Sequence, residues 1–194
     1  MKQTLLELTI ATIDESGETG VRVSQIVKAA GVTIPTLYHY FGSREGLIEE
    51  AQVERFIRVL RSDTEAFLAR LETCETRADL EKALASNVLA LELPNRALMR
   101  WQRLNALGAS YARPSLAERI TKAHDELATR TALALAPFQR KGLIRQDIDL
   151  RAVVAWYNGA VLGKNLVQIG NSDIDQTEWN RILVIATHAV LFGP

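Results

Sequence analysis

Residues 23–47, VSQIVKAAGVTIPTLYHYFGSREGL, constrain the fold of this chain more than any other stretch. Ile26, Ala29 and Ala30 recur at helical spacing, and Gly31 follows where a left-handed residue ends a helix, a conformation that a Cβ disfavours. Thr33 then offers a side-chain oxygen to cap a second helix. Pro35 falls in that helix's first turn, where a missing amide hydrogen leaves nothing unmet, and Leu37 and Phe41 stand one turn apart to anchor it. Ser43 caps a third helix directly behind. Two short helices around a Gly-Val-Thr turn make a helix-turn-helix layout. Thr36, Tyr38, His39 and Tyr40 are left facing outward, and a polar, aromatic face on a short, anchored helix suits the major groove of DNA.

Ile26, Ala30-Gly31-Val32-Thr33, Thr36-Leu37-Tyr38, Tyr40-Phe41 and Ser43-Arg44-Glu45-Gly46-Leu47 together resemble the signature of the tetracycline-repressor (TetR) family of bacterial transcription regulators. The resemblance is dense up to residue 47 and extends beyond Glu50 only to the family's general plan. Arg22 stands where members cap the first of the two helices with Thr or Ser, so Ser24 or water must serve there; Val27 and Pro35 replace the usual Ala and Gly. The resemblance implies a helix-turn-helix DNA-binding domain at 1–47 and a helical effector-binding and dimerisation domain at 48–194. It also implies a homodimer on double-stranded operator DNA, most commonly a repressor released by a small-molecule effector. On this reading Ile34, Pro35, Thr36, Tyr38 and His39 face base edges, and Thr33, Tyr40 and Arg44 hold phosphates.

Charge does not by itself point to DNA. Lys and Arg total 23, as do Asp and Glu. Even within residues 1–47 the bases Lys2, Arg22, Lys28 and Arg44 are outnumbered by Glu7, Asp14, Glu15, Glu18 and Glu45. Affinity must then come from placement, through helix amino termini, hydroxyl donors and the doubling of contacts in a dimer. Cys74 has no second cysteine to pair with, and the N-terminus lacks the pattern of a signal peptide. No long charge-free stretch exists, so the sequence predicts a cytoplasmic protein without a membrane partner.

The remainder reads as helix throughout, giving an all-α fold: residues 4–14 ahead of the motif, 43–72 behind it, then 79–91, 96–109 with Asn95 as cap, 114–141, 149–170 and 177–192. The last two are apolar on more than one stripe. Ala155, Gly159 and Gly163 recur every fourth residue and permit close approach of another helix, and Ile182, Ala186 and Ala189 broaden the final helix. These residues predict a dimeric four-helix bundle, the same interface that the resemblance implies. Between motif and bundle, Phe67, Trp101, Leu104, Tyr111, His124 and Trp156 are the candidates to line an apolar effector cavity with a few polar groups.

Catalysis has little support. His39, His124 and His188 lie on different elements, and no His-x-x-x-His, Glu-x-x-His or glycine-rich phosphate loop occurs, so neither a catalytic residue, a metal ligand nor a cofactor site is expected. The other rival is a helical carrier or interaction protein without DNA binding; the intact outward set from Thr33 to Arg44 speaks against it.

Overall fold

A computed structural model describes residues 1–170 and 172–193. Among these the chain is all-α, with nine α-helices, three short 3-10 turns and no strand. Helices α1 (Lys2–Ser16), α2 (Val23–Ala30), α3 (Ile34–Phe41) and the start of α4 (Arg44–Leu71) close around one apolar cluster that includes Leu5, Ile10, Val21, Ile26, Leu37, Leu47 and Ala51. We call this unit the head.

Local chemistry sets its turns. Gly31 adopts φ 67° and ψ 33°, and its amide and that of Val32 bond back to Lys28 and Val27. The Thr33 hydroxyl accepts from the Thr36 amide at 3.4 Å and the Ser43 hydroxyl from that of Gly46 at 2.9 Å, so both expected caps form. Gly46 is needed for another reason: a Cβ there would come within 2.1 Å of the Phe41 carbonyl oxygen. Arg22 opens α2 without a side-chain cap among the described residues.

The body comprises α5 (Arg77–Leu89), α6 (Arg96–Ser110), α7 (Pro114–Arg140), α8 (Leu150–Gly163) and α9 (Gln176–Phe192). Helix α4 joins it to the head. At about 1.5 Å per residue its 28 residues span roughly 42 Å. Leu47, Ile48 and Ala51 belong to the head cluster, Phe56, Ile57 and Leu60 pack with Ala106, Leu116 and Ile120, and Phe67 and Leu71 join Leu80, Leu135 and Phe138. One rod thus has its two ends in different cores.

Two expectations need correction. Asn95 does not cap α6 with its side chain; it turns the backbone instead, at φ 66°. The helix expected over 149–170 ends at Gly163 and tightens into a 3-10 turn, Lys164–Val167. The reason lies in two inward polar side chains. Fully buried Lys164 reaches the Glu92 carboxylate and, at 2.8 Å, Asn180, while Asn165 accepts from Arg100 at 3.1 Å.

Candidate functional site

Helix α3 is fixed by a wholly buried Leu37, which leaves a compact outer surface. Ile34, Tyr38 and Tyr40 are each about two-fifths exposed, and Thr33, Pro35 and His39 are exposed beside them, with Thr36 half-buried. The His39, Tyr40 and Phe41 rings meet edge to face. Arg44 departs from this surface. Its Nε donates to the Val21 carbonyl at 3.0 Å and its Nη2 to the Glu18 carbonyl at 2.9 Å, pinning the loop before α2 to the start of α4. Lys2 is likewise engaged, with Glu50 at 3.0 Å. Arg22 and Lys28 are exposed as well.

The body contains a cavity of about 100 Å³ enclosed by α4 to α9. Its apolar wall includes Leu60, Phe67, Leu84, Leu135, Val161 and Leu191, and its polar lining includes Asp63, Asn87, Arg103, Tyr157 and Asn158. Of the residues expected to build an effector site, Phe67 lines it; Trp101, Leu104, Tyr111, His124 and Trp156 do not. Trp101 of α6 is 37 % exposed and Tyr111, just past its end, 96 % exposed, whereas Arg100 and Arg103 of α6 are buried. Helix α6 therefore turns arginines inward and several apolar side chains outward. The sequence carried a signal for this, because Arg96, Arg100 and Arg103 repeat at spacings of four and three, the spacing of one helix face. His124 stands behind the lining, 3.4 Å from the Asn158 amide nitrogen.

Within that lining, Arg103 is 2 % exposed, and its Nε has no acceptor among the described residues. Its guanidinium lies over the Phe56 ring, 5.3 Å from the centroid. Burial pushes its pKa down to about 10, so it stays protonated at neutral pH. The Tyr157 hydroxyl is also buried and unpartnered among the described residues, and burial raises its pKa above the usual phenol range, which keeps it a neutral donor. Asp63 is already forked by Arg96, at 2.8 and 3.0 Å.

On the outer side of the body, Ala155, Trp156 and Gly159 of α8 and Ile182, Ile185 and Ala189 of α9 are exposed, with Gly163 and Ala186 half-buried. A Cβ at Gly159 or Gly163 would meet nothing within 4 Å. Trp156 belongs to this face, beside Ile148, Ala152 and Val190.

Residues 5–51, which form the head, match the sequence model of bacterial regulatory proteins of the tetR family. The HTH-type transcriptional regulator BetI of Yersinia pestis (strain Pestoides F) is 32% identical over 100 residues, 52% of this chain and 50% of BetI. The head is thus similar to that of tetR-family regulators. The chain spans about half the length of the curated relatives it matches. Two solved structures share its fold over nearly the whole chain. A transcriptional regulator from Saccharomonospora viridis in complex with choline is 18% identical with a TM-score of 0.67, covering 98% of this chain and 96% of that one. The regulator FadR from Bacillus subtilis in complex with stearoyl-CoA is 17% identical with a TM-score of 0.65, covering 100% of both.

A polar network joins head to body. The Glu18 carboxylate accepts from Gln52 of α4 and from Arg113 at the start of α7, and Asp14 accepts from Arg55 at 2.7 Å and from Gln102 of α6 at 2.6 Å. Burial raises the Glu18 pKa, but Arg113, Gln52 and Arg55 outweigh it and hold the carboxyl below its usual value. Glu50 and Glu49 pair with Arg119 of α7. Among the described residues no helix is long and apolar enough to cross a membrane.

Proposed function

We propose that this chain is a DNA-binding transcriptional regulator of the TetR type, a repressor that reads an inverted-repeat operator as a homodimer and releases it when a small molecule occupies the body cavity. The domain division is 1–47 for DNA and 48–194 for effector and dimer, with α4 running through the boundary. The observation that carries this reading is the recognition helix. Leu37 locks α3 on the head, while Ile34, Pro35, Thr36, Tyr38 and His39 are left for base edges. Thr33 and Tyr40 serve phosphates, joined by Arg22 and Lys28, because Arg44 is engaged within the head.

The outer face of α8 and α9 supports the homodimer. Ala155, Gly159 and Gly163 allow close approach, and Ile182, Ala186 and Ala189 supply apolar contact in an isologous four-helix bundle. The choline and stearoyl-CoA complexes of the structural neighbours support small-molecule control. Helix α4 is the lever. Its far end lines the cavity at Asp63, Thr64 and Phe67, and its near end carries Arg44, which holds the loop ahead of α2. An effector acts only through preference for the released state. A coupling of roughly 1–3 kcal/mol would loosen DNA about 5- to 150-fold, and DNA would weaken the effector by the same factor.

Mobility-shift titration on a duplex selected by the wild-type chain tests this reading. Tyr38→Ala should cost on the order of 1–3 kcal/mol and relax base preference at one position of each half-site. Unchanged affinity and preference would remove α3 from the groove.

A further inference from the structure

Arg103 is a buried cation whose hydrogen bonds are not all made among the described residues. A buried cation is costly unless a counter-charge or acceptors replace its water. Here Nε has no acceptor among the described residues, and Asp63, the carboxylate whose charge acts on Arg103, is already held by Arg96. The face of Phe56 compensates in part but offers no lone pair. A second donor, the Tyr157 hydroxyl, lines the same cavity with its hydrogen bond unmade among the described residues. Much of the remaining wall is aliphatic.

We infer that the effector carries a carboxylate on an apolar body, with Arg103 supplying the counter-charge, Tyr157 a second hydrogen bond, and the aliphatic wall taking the chain. This rests on the cavity being the effector site. A cationic head group fits poorly, since the lining acid Asp63 is paired and Arg103 would repel it. A neutral polar head would leave the buried charge uncompensated. A carboxylate both satisfies the donors and neutralises the arginine, and charge-assisted bonds of this kind are about twice as strong as neutral ones.

Calorimetric titration of the full chain with straight-chain probes of six to ten carbons can decide this, comparing at each length the carboxylate, the primary alcohol and the trimethylammonium compound. The carboxylate should bind about tenfold or more tighter than the alcohol, with the ammonium weakest. Arg103→Met should bring acid and alcohol to within about twofold, Arg103→Lys should keep part of the preference, and Tyr157→Phe should weaken the acid severalfold while sparing the alcohol. If the unpaired charge is as described, ligand-free Arg103→Met melts at or above the wild-type temperature; should that variant fail to fold, the lysine and phenylalanine variants carry the same comparison. Equal binding of acid and alcohol, or tightest binding of the ammonium, would overturn the carboxylate assignment while keeping the cavity as a ligand site. No binding by any probe would overturn both.

Discussion

Arg44 sits at the mouth of α4, where its number and charge suggest a phosphate ligand, yet its guanidinium holds two backbone carbonyls of the loop before α2. The Arg44 side chain is a third exposed, so its two hydrogen bonds to carbonyls contribute about 1 kcal/mol each, and both would be lost in Arg44→Ala. That variant should lower the melting temperature by about 4–8 °C, for roughly 2 kcal/mol in a chain of this size, and weaken DNA with an unchanged salt slope. Lys28→Ala should do the opposite, flattening the slope by about one unit with little change in melting. Thermal melts and salt titrations of the two variants check this; a flattened slope with an intact melt for Arg44→Ala would return it to the phosphates. The caps were legible because each is a local event: Gly31, Thr33 and Ser43 act on amides within a few residues of themselves. The cavity was not. Trp101 lies on the outside of α6, and the spacing of Arg96, Arg100 and Arg103 marks one helix face without saying that it turns inward, which the packing of α4, α7 and α8 decides.

At the scale of elements, helix existence followed from periodicity and punctuation, and the errors fell where tertiary contacts overrule local preference. Lys164 and Asn165 break the regular course of α8 because their polar groups reach into a network of Glu92, Asn180 and Arg100, partners far away in sequence. Small residues at helical spacing permit close approach of another helix, and Ala155 and Gly159 lie exposed on the outer face of α8 with Gly163 half-buried. Gly159 offers a clean experiment. It has open space around it within the single chain, so Gly159→Glu should leave the subunit folded, with wild-type helicity and melting at low concentration. The proposed bundle has no room for it. Sedimentation should show a wild-type dimer and a Gly159→Glu monomer at micromolar concentration, with operator affinity lost in parallel. A variant dimer as tight as wild type would move the interface elsewhere.

Taken as a whole, the molecule is a head and a body sharing one helix, with Glu18 and Asp14 tying the head to α4, α6 and α7. On the proposed reading, a shift of α6 or α7 around a cavity occupant would pass through these ion pairs and hydrogen bonds to the loop that Arg44 holds, and through it to α2 and α3. With a balanced net charge, the proposed DNA binding would rely on placement rather than on a positive field. The most direct test of the account is selection of bound duplexes from a random library by the wild-type chain, followed by measurement of how many chains occupy the enriched site. The account predicts an inverted repeat, its half-sites about 34–36 Å apart or a small multiple of that, occupied by an even number of chains. Failure to enrich any sequence, or enrichment of a single asymmetric site held by one chain, would contradict it.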